Sequence, residues 1–209
     1  RSRDESYALM VEHLLAALNT HERVVALFYG HPGVFVWPSH ELIRQARAVG
    51  HEASMLPGIS AEDCLVADLG IDPGVSGLQT YEACDFLVYP RRFDPNVPLV
   101  LWQLAVLGDL SRSTFITQPE WVDGLARLLI RSYPATHAVA VYEAASFPLD
   151  DARIEWVPLN QLADVRMTQA STLYVPPMAA PDIDRARLRE LGLDAAALAE
   201  AGFQKARRQ

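Results

Sequence analysis

Within residues 29–72, two glycine turns each follow an apolar run and each lead into a helix signal. This alternation constrains the fold more tightly than any other feature. Residues 23–29 (RVVALFY) are rich in β-branched and aromatic side chains, as in a buried parallel strand. The run breaks into Gly30-His31-Pro32-Gly33, where the glycines and proline permit a tight turn and let a ligand reach bare backbone. Ser39 is the expected cap of a helix carrying Leu42, Ile43, Ala46 and Val49 on one face, with Gly50 as its stop. Met55 and Leu56 end a second expected strand at Pro57-Gly58, and Ser60 with Asp63 forms a capping box for a second helix. Strand, turn and helix in repetition is the grammar of a parallel α/β sheet, whose ligands sit at the carboxyl ends of strands. Both glycine turns fall there.

Residues 4–18 place Tyr7, Met10, Val11, Leu14, Leu15 and Leu18 at helical spacing, and Arg3 lies four residues from Tyr7 on the same face. Residues 72–80 are turn-rich, and residues 81–89 resume a helix-end or strand pattern. Residues 90–98 (PRRFDPNVP) hold three prolines in nine positions, the chemistry of an extended linker, and mark an expected boundary between domains 1–92 and 93–209. Beyond it, residues 99–103, 138–142 and 171–177 read as strands, and the alternating RIEWVP of residues 153–158 as an antiparallel one. Residues 121–133, a short segment from Asn160, and residues 182–191 with Asp182 as cap and Gly192 as stop read as helices. The expected architecture is α/β: two domains, a mainly parallel N-terminal sheet, a mixed C-terminal one, and a cleft between them.

A net charge of −8 argues against nucleic acid or an anionic membrane as the main partner. No apolar run approaches a membrane span. Cys64 and Cys84 form no CxxC pair and read as reduced thiols of a cytoplasmic protein. The six histidines are scattered, none in HExxH, so no metal site is expected.

The segments YGHPGVF, WPS, MLPGISAEDCLVADLGIDPG, TYEACDFL and STLYVPP, in this order over most of the chain, resemble the tetrapyrrole-methylase-like S-adenosylmethionine (SAM) methyltransferases. Within these they are most similar to the borosin peptide-backbone N-methyltransferases. Ordinary tetrapyrrole methylases usually carry an aspartate where this chain has His31; His31 and SAEDC point to the borosin branch. The resemblance implies the two-domain class III methyltransferase fold and SAM as cofactor. It implies cofactor contacts at Tyr29, His31, Val34 and Phe35 in the first turn, Ser60 and Ala61 in the second, and Gln103, Tyr142, Ser171 and Thr172 in the second half. A helix cap at Ser60, a strand end at Gln103, and turn and strand chemistry at Ser171 and Thr172 are the plainer readings. Glu62 and Asp63 are first-turn acids favoured by the helix dipole and are read as structural.

RSRDESY resembles the S-R-x-x-x-Y segment in which the borosin arginine and tyrosine are catalytic, which maps those roles to Arg3 and Tyr7. The plainer alternative makes Tyr7 the start of a core stripe and Arg3 a solvated helix-end charge. A backbone amide nitrogen is a poor nucleophile because its lone pair is delocalised. Methylating it requires a group that takes the N–H proton and a cation or donor for the developing imidate oxygen. The chain opens at Arg1 with no strand or G-x-G loop ahead of its first helix, and the expectation is a fragment lacking the family's first strand and Gly-rich turn. The leading function is backbone N-methylation of a separate ribosomal precursor peptide by a homodimer. The alternatives are a tetrapyrrole C-methyltransferase and a SAM- or partner-binding module without catalysis.

Overall fold

The computed structural model describes residues 2–109, 116–147, 149–179, 183–194, 196 and 198. Its strands are β1 (Gln79–Glu82), β2 (Leu99–Trp102), β3 (Ala138–Glu143), β4 (Arg153–Pro158) and β5 (Thr172–Val175). They form one mixed sheet in the order β1-β2-β5-β3-β4. β1 and β2 run parallel; β5 is antiparallel to both β2 and β3, and β4 is antiparallel to β3. The helices are α1 (Arg3–Ala17), α2 (Trp37–Ala48), α3 (Ala61–Leu69), α4 (Pro73–Ser76), α5 (Ala83–Val88), α6 (Pro119–Ile130) and α7 (Arg185–Glu190). The fold class is α/β, as the sequence implies. Among the described residues no helix is long and apolar enough to cross a membrane.

Side chains alternate across a strand, so the continuous apolar runs of the central strands feed two cores. Leu99, Leu101, Val139, Val141, Leu173 and Val175 meet Val122, Leu125 and Leu129 of α6 on one face. Val100, Trp102, Ala140, Tyr142 and Tyr174 meet Leu65 of α3 on the other. Leu65 is fully buried; covering such a side chain contributes about 2 kcal/mol. It fixes α3, and hence the turn at its N-terminus, against the end of β2.

Several expectations require correction. Residues 23–29 form no regular element and join no ladder among the described residues, and Val25, Leu27 and Tyr29 are 72%, 92% and 94% exposed. An apolar run favours extension, but a strand also needs a neighbour for its N–H and C=O groups. The expected strand at Met55-Leu56 is likewise irregular, with Leu56 exposed. The expected mainly parallel N-terminal sheet is therefore not formed by the described residues. The proline-rich segment does not divide two sheets either: β1 lies before it, β2 after it, and the two pair directly. Residues 72–80, read as turn alone, supply α4 and the start of β1. Ser39 is not a cap; α2 begins at Trp37 with Val36 at the cap position, because Pro38 fits the first turn, where its missing N–H is not needed. Asp182 lies outside the described residues, and α7 is capped by Asp184.

Candidate active site

Ser2 and Glu5 form a reciprocal capping box at the start of α1. The Glu5 N–H donates to Ser2 Oγ at 3.1 Å, and the Ser2 N–H to Glu5 Oε2 at 2.9 Å. This fixes the turn that carries Arg3. One turn on, Arg3 Nε–H donates to Tyr7 Oη at 2.6 Å, and the guanidinium carbon lies 5.2 Å from the Tyr7 ring centroid. The expected pairing on one helix face is present, and both side chains are half-buried.

The first glycine turn is braced from several directions. Gly30 has φ +70°, a conformation glycine adopts without strain. The Gly33 N–H donates to His31 Nδ1 at 3.0 Å, and His40 Nε2 lies 2.9 Å from the Gly33 carbonyl. Buried Ser39 donates to the carbonyls of Pro32 and of Val36, the latter at 2.8 Å. Phe35 follows with φ +55° and sets its ring 6.4 Å from that of Trp102 at the end of β2. The second turn lies directly against the first: a Cβ on Gly58 would stand 2.8 Å from the Gly30 carbonyl oxygen and 3.2 Å from His31 Cα.

Ser60 caps α3 as expected, and Asp63 closes the box by accepting from Ser60 Oγ and Ser60 N–H, both at 2.7 Å. These bonds, first that of the Ser60 hydroxyl, hold the Asp63 carboxyl below its ordinary range. Burial, and then the charge of Asp63, push Glu62 up. Asp63 is thus engaged as a cap rather than poised for proton transfer.

Gln103 ends β2 with φ +63°. Sparsely populated conformations persist only where their surroundings over-determine them. Here the Leu104 N–H donates to the Ser171 carbonyl at 3.1 Å, the Val106 N–H to the Gln103 carbonyl at 3.1 Å, and Thr117 Oγ1 to the Leu104 carbonyl at 2.6 Å. Phe35 and Gln103 are the two non-glycine residues with positive φ among the described residues, and both face the same cleft.

That cleft has a volume of about 910 Å³. α1 contributes Arg3, Asp4 and Tyr7; the first turn and α2 contribute Gly33, Phe35, Trp37 and His40; β2 ends in it at Gln103. Of the expected residues, Arg3, Tyr7, Phe35 and Gln103 therefore line one space. Tyr29 is almost fully exposed, and Val34 is exposed. His31 stands behind Gly33, and Ser60 and Ala61 follow the second turn. Tyr142 is fully buried in the sheet and donates to Asp68 of α3 at 2.7 Å. Burial, then Asp68, raise its phenol far above the ordinary range. Buried Ser171 donates to Glu143 at 2.6 Å and accepts from the Thr168 N–H at 2.7 Å, so its hydroxyl is engaged within the protein. Thr172 is buried opposite Tyr142. The cleft residues Asp4, Trp37 and His40 were not expected. Asp4 adjoins Arg3 in sequence, but nothing in the local pattern marks Trp37 or His40.

The chain matches the tetrapyrrole (corrin/porphyrin) methylase family over residues 1–163. It is a tetrapyrrole methylase by family. The chain is 39% identical over 92% of its length to a methyltransferase and ribosomally synthesized type I borosin cyclic peptide precursor of Coprinopsis marcescibilis, and covers 52% of that protein. It is 40% identical over 94% of its length to a methyltransferase and gymnopeptides precursor of Gymnopus fusipes, and covers 48% of it. It thus spans about half the length of the curated relatives it matches. Its fold is that of the uroporphyrin-III C-methyltransferase of Thermus thermophilus complexed with S-adenosylhomocysteine (TM-score 0.53, 20% identity, 83% of this chain, 73% of the other).

Proposed function

We propose that this methylase transfers a methyl group from SAM to backbone amide nitrogens of a ribosomally made peptide. The observation that carries the reading is the Arg3–Tyr7 pair, bonded at 2.6 Å and opening on the same cleft as the glycine turn and Gln103. The relatives whose names join a methyltransferase to a cyclic-peptide precursor support it.

SAM, when bound, supplies an electrophilic methyl on a sulfonium. The bare backbone at Gly30, Gly33 and Gly58 suits a closely approaching ligand, and at Gly58 a side chain would collide with the Gly30 backbone. Tyr29, His31, Val34 and Phe35 would hold the cofactor from the first turn. Ser60 and Ala61 would hold it from the α3 N-terminus, the positive end of the helix dipole, which favours an anion. Gln103 would reach it from β2, while Tyr142, Ser171 and Thr172 support that end of the sheet. Tyr7 takes the proton of the acceptor amide or holds its imidate. Arg3 stabilises the oxygen on which charge develops, and its bond to Tyr7 orients the phenol. Trp37 and Phe35, half-exposed, offer apolar surface to the peptide.

Tetrapyrrole C-methylation is disfavoured by the same cleft. A substrate bearing many carboxylates requires several cations, and Arg3 is the one arginine or lysine among the described lining residues, with Asp4 beside it. The test offers methyl-labelled SAM with either uroporphyrinogen III or a synthetic peptide copied from the precursor segment of the Gymnopus fusipes relative. Label in the peptide alone is expected; label in the porphyrinogen would reverse the assignment.

The methylase pairs with a second copy inside the cell. The support is the exposed apolar surface of two adjoining segments, Val25, Leu27 and Tyr29 beside Leu56 and Ile59. Light scattering at micromolar concentration should give twice the chain mass; a monomer mass would refute the pairing.

A further inference from the structure

We propose that His31 is a positioning residue whose imidazole Nδ1, by accepting the Gly33 N–H, holds the first glycine turn in the shape the cofactor site needs. The inference rests on the reading that SAM binds along that turn.

In the His31–Gly33 bond the backbone amide is the donor, so His31 Nδ1 must present its lone pair. The spacing is i to i+2 at 3.0 Å, that of an Asx turn with a ring nitrogen in place of the carboxyl oxygen. Elsewhere the molecule builds this turn with aspartate. Asp72 Oδ1 accepts from the Gly74 N–H at 2.8 Å, and Asp94 Oδ1 from the Asn96 N–H at 2.9 Å. An aspartate keeps its acceptor at any pH near neutrality. Imidazole is the side chain whose charge changes between about pH 5 and pH 8. Once protonated, Nδ1 carries a hydrogen and confronts the Gly33 N–H donor to donor.

The surroundings leave no easy adjustment. Pro32 is held by Ser39, and the Gly33 carbonyl by His40. Gly58 backbone lies against His31 Cα. A Cβ on Gly33 would stand 2.8 Å from Met55 Sδ and 3.3 Å from His31 Cε1. A movement of the Gly33 amide would have to carry the Ser39 and His40 hydrogen bonds with it.

The other charged groups nearby act differently. Asp63 from α3 faces His31, and the hydrogen bonds of Ser60 hold its carboxyl below the ordinary range. His40 from α2 meets a carbonyl, to which either its neutral Nε2–H form or its cation can donate. Arg3 and Asp4 from α1 line the cleft on the other side of Gly33.

The variant His31→Asn supplies an acceptor at the same i to i+2 position that does not titrate. In the ligand-free chain labelled with nitrogen-15, the Gly33 amide resonance should titrate together with the His31 ring nitrogens, and should be flat with pH in His31→Asn. A wild-type Gly33 amide indifferent to the titration of His31 would overturn the proposal, whether or not the variant folds. Calorimetry with S-adenosylhomocysteine should show affinity falling about tenfold once the His31 ring is protonated in the wild type, and changing less than about twofold over the same pH span in His31→Asn. Equal losses in both would assign the pH dependence to another group and overturn the proposal. Failure of S-adenosylhomocysteine to bind the wild type at any pH would defeat the cofactor reading, while the Gly33 amide would still judge His31.

Discussion

Tyr7→Phe is expected to lower the methyl-transfer rate about a hundredfold, with the fold and the affinity for S-adenosylhomocysteine little changed. The substitution removes one hydroxyl and keeps the ring, so the packing of α1 and the guanidinium over the ring at 5.2 Å can persist. The lost group is the one that accepts from Arg3 Nε at 2.6 Å and faces the cleft. A contact made only in the transition state contributes about 3 kcal/mol, which is the stated fall in rate. Arg3→Lys should fail comparably, because lysine keeps the charge but loses the planar fork that can serve a phenol and an oxyanion together. The measurement is single turnover with SAM saturating. Retention of more than about a third of the wild-type rate in Tyr7→Phe would reduce Tyr7 to the first residue of a core stripe.

The second large effect is at Gly58. A Cβ there would stand 2.8 Å from the Gly30 carbonyl oxygen, and the obstacle is backbone rather than the movable end of a side chain. Gly58→Ala should therefore push the two glycine turns apart, an overpacking strain of about 1–3 kcal/mol. If SAM binds across both turns, S-adenosylhomocysteine affinity should fall at least about tenfold by calorimetry. The sheet core around Leu65 lies away from the obstruction and should keep its circular dichroism. Gly124→Ala in α6, where the nearest atom is the mobile Arg127 guanidinium at 4.0 Å, should leave affinity alone. Equal affinities in the two variants would separate the cofactor from the turns.

What was legible in the sequence follows from how local each signal is. The Ser60–Asp63 capping box spans four residues and was readable, as was the Arg3–Tyr7 pair one helical turn apart. The runs that became β2, β3 and β5 were also readable, since their burial is written in their apolar pattern, and β4 was readable from its alternation. The failures concern pairing at a distance. Residues 23–29 have strand composition without a described ladder partner, and β1 reaches across the proline-rich segment to β2 by contacts that no local pattern encodes. The hydroxyl of Tyr142 meets Asp68 from 74 residues away, a bond that no local pattern encodes. Positive φ at Phe35 and Gln103 was equally invisible, because neither residue type favours it; the surrounding hydrogen bonds impose it at Gln103.

The central claim is that the cleft built by α1, the first glycine turn and the end of β2 methylates peptide backbone nitrogen. The most direct measurement uses SAM with an isotopically labelled methyl and locates the label in a synthetic precursor-type peptide by fragmentation mass spectrometry, for the wild type and Tyr7→Phe together. The account predicts label on backbone amide nitrogens, made by the wild type and nearly absent with the variant. Label on a side chain or terminal amine, or equal labelling by both proteins, would contradict it.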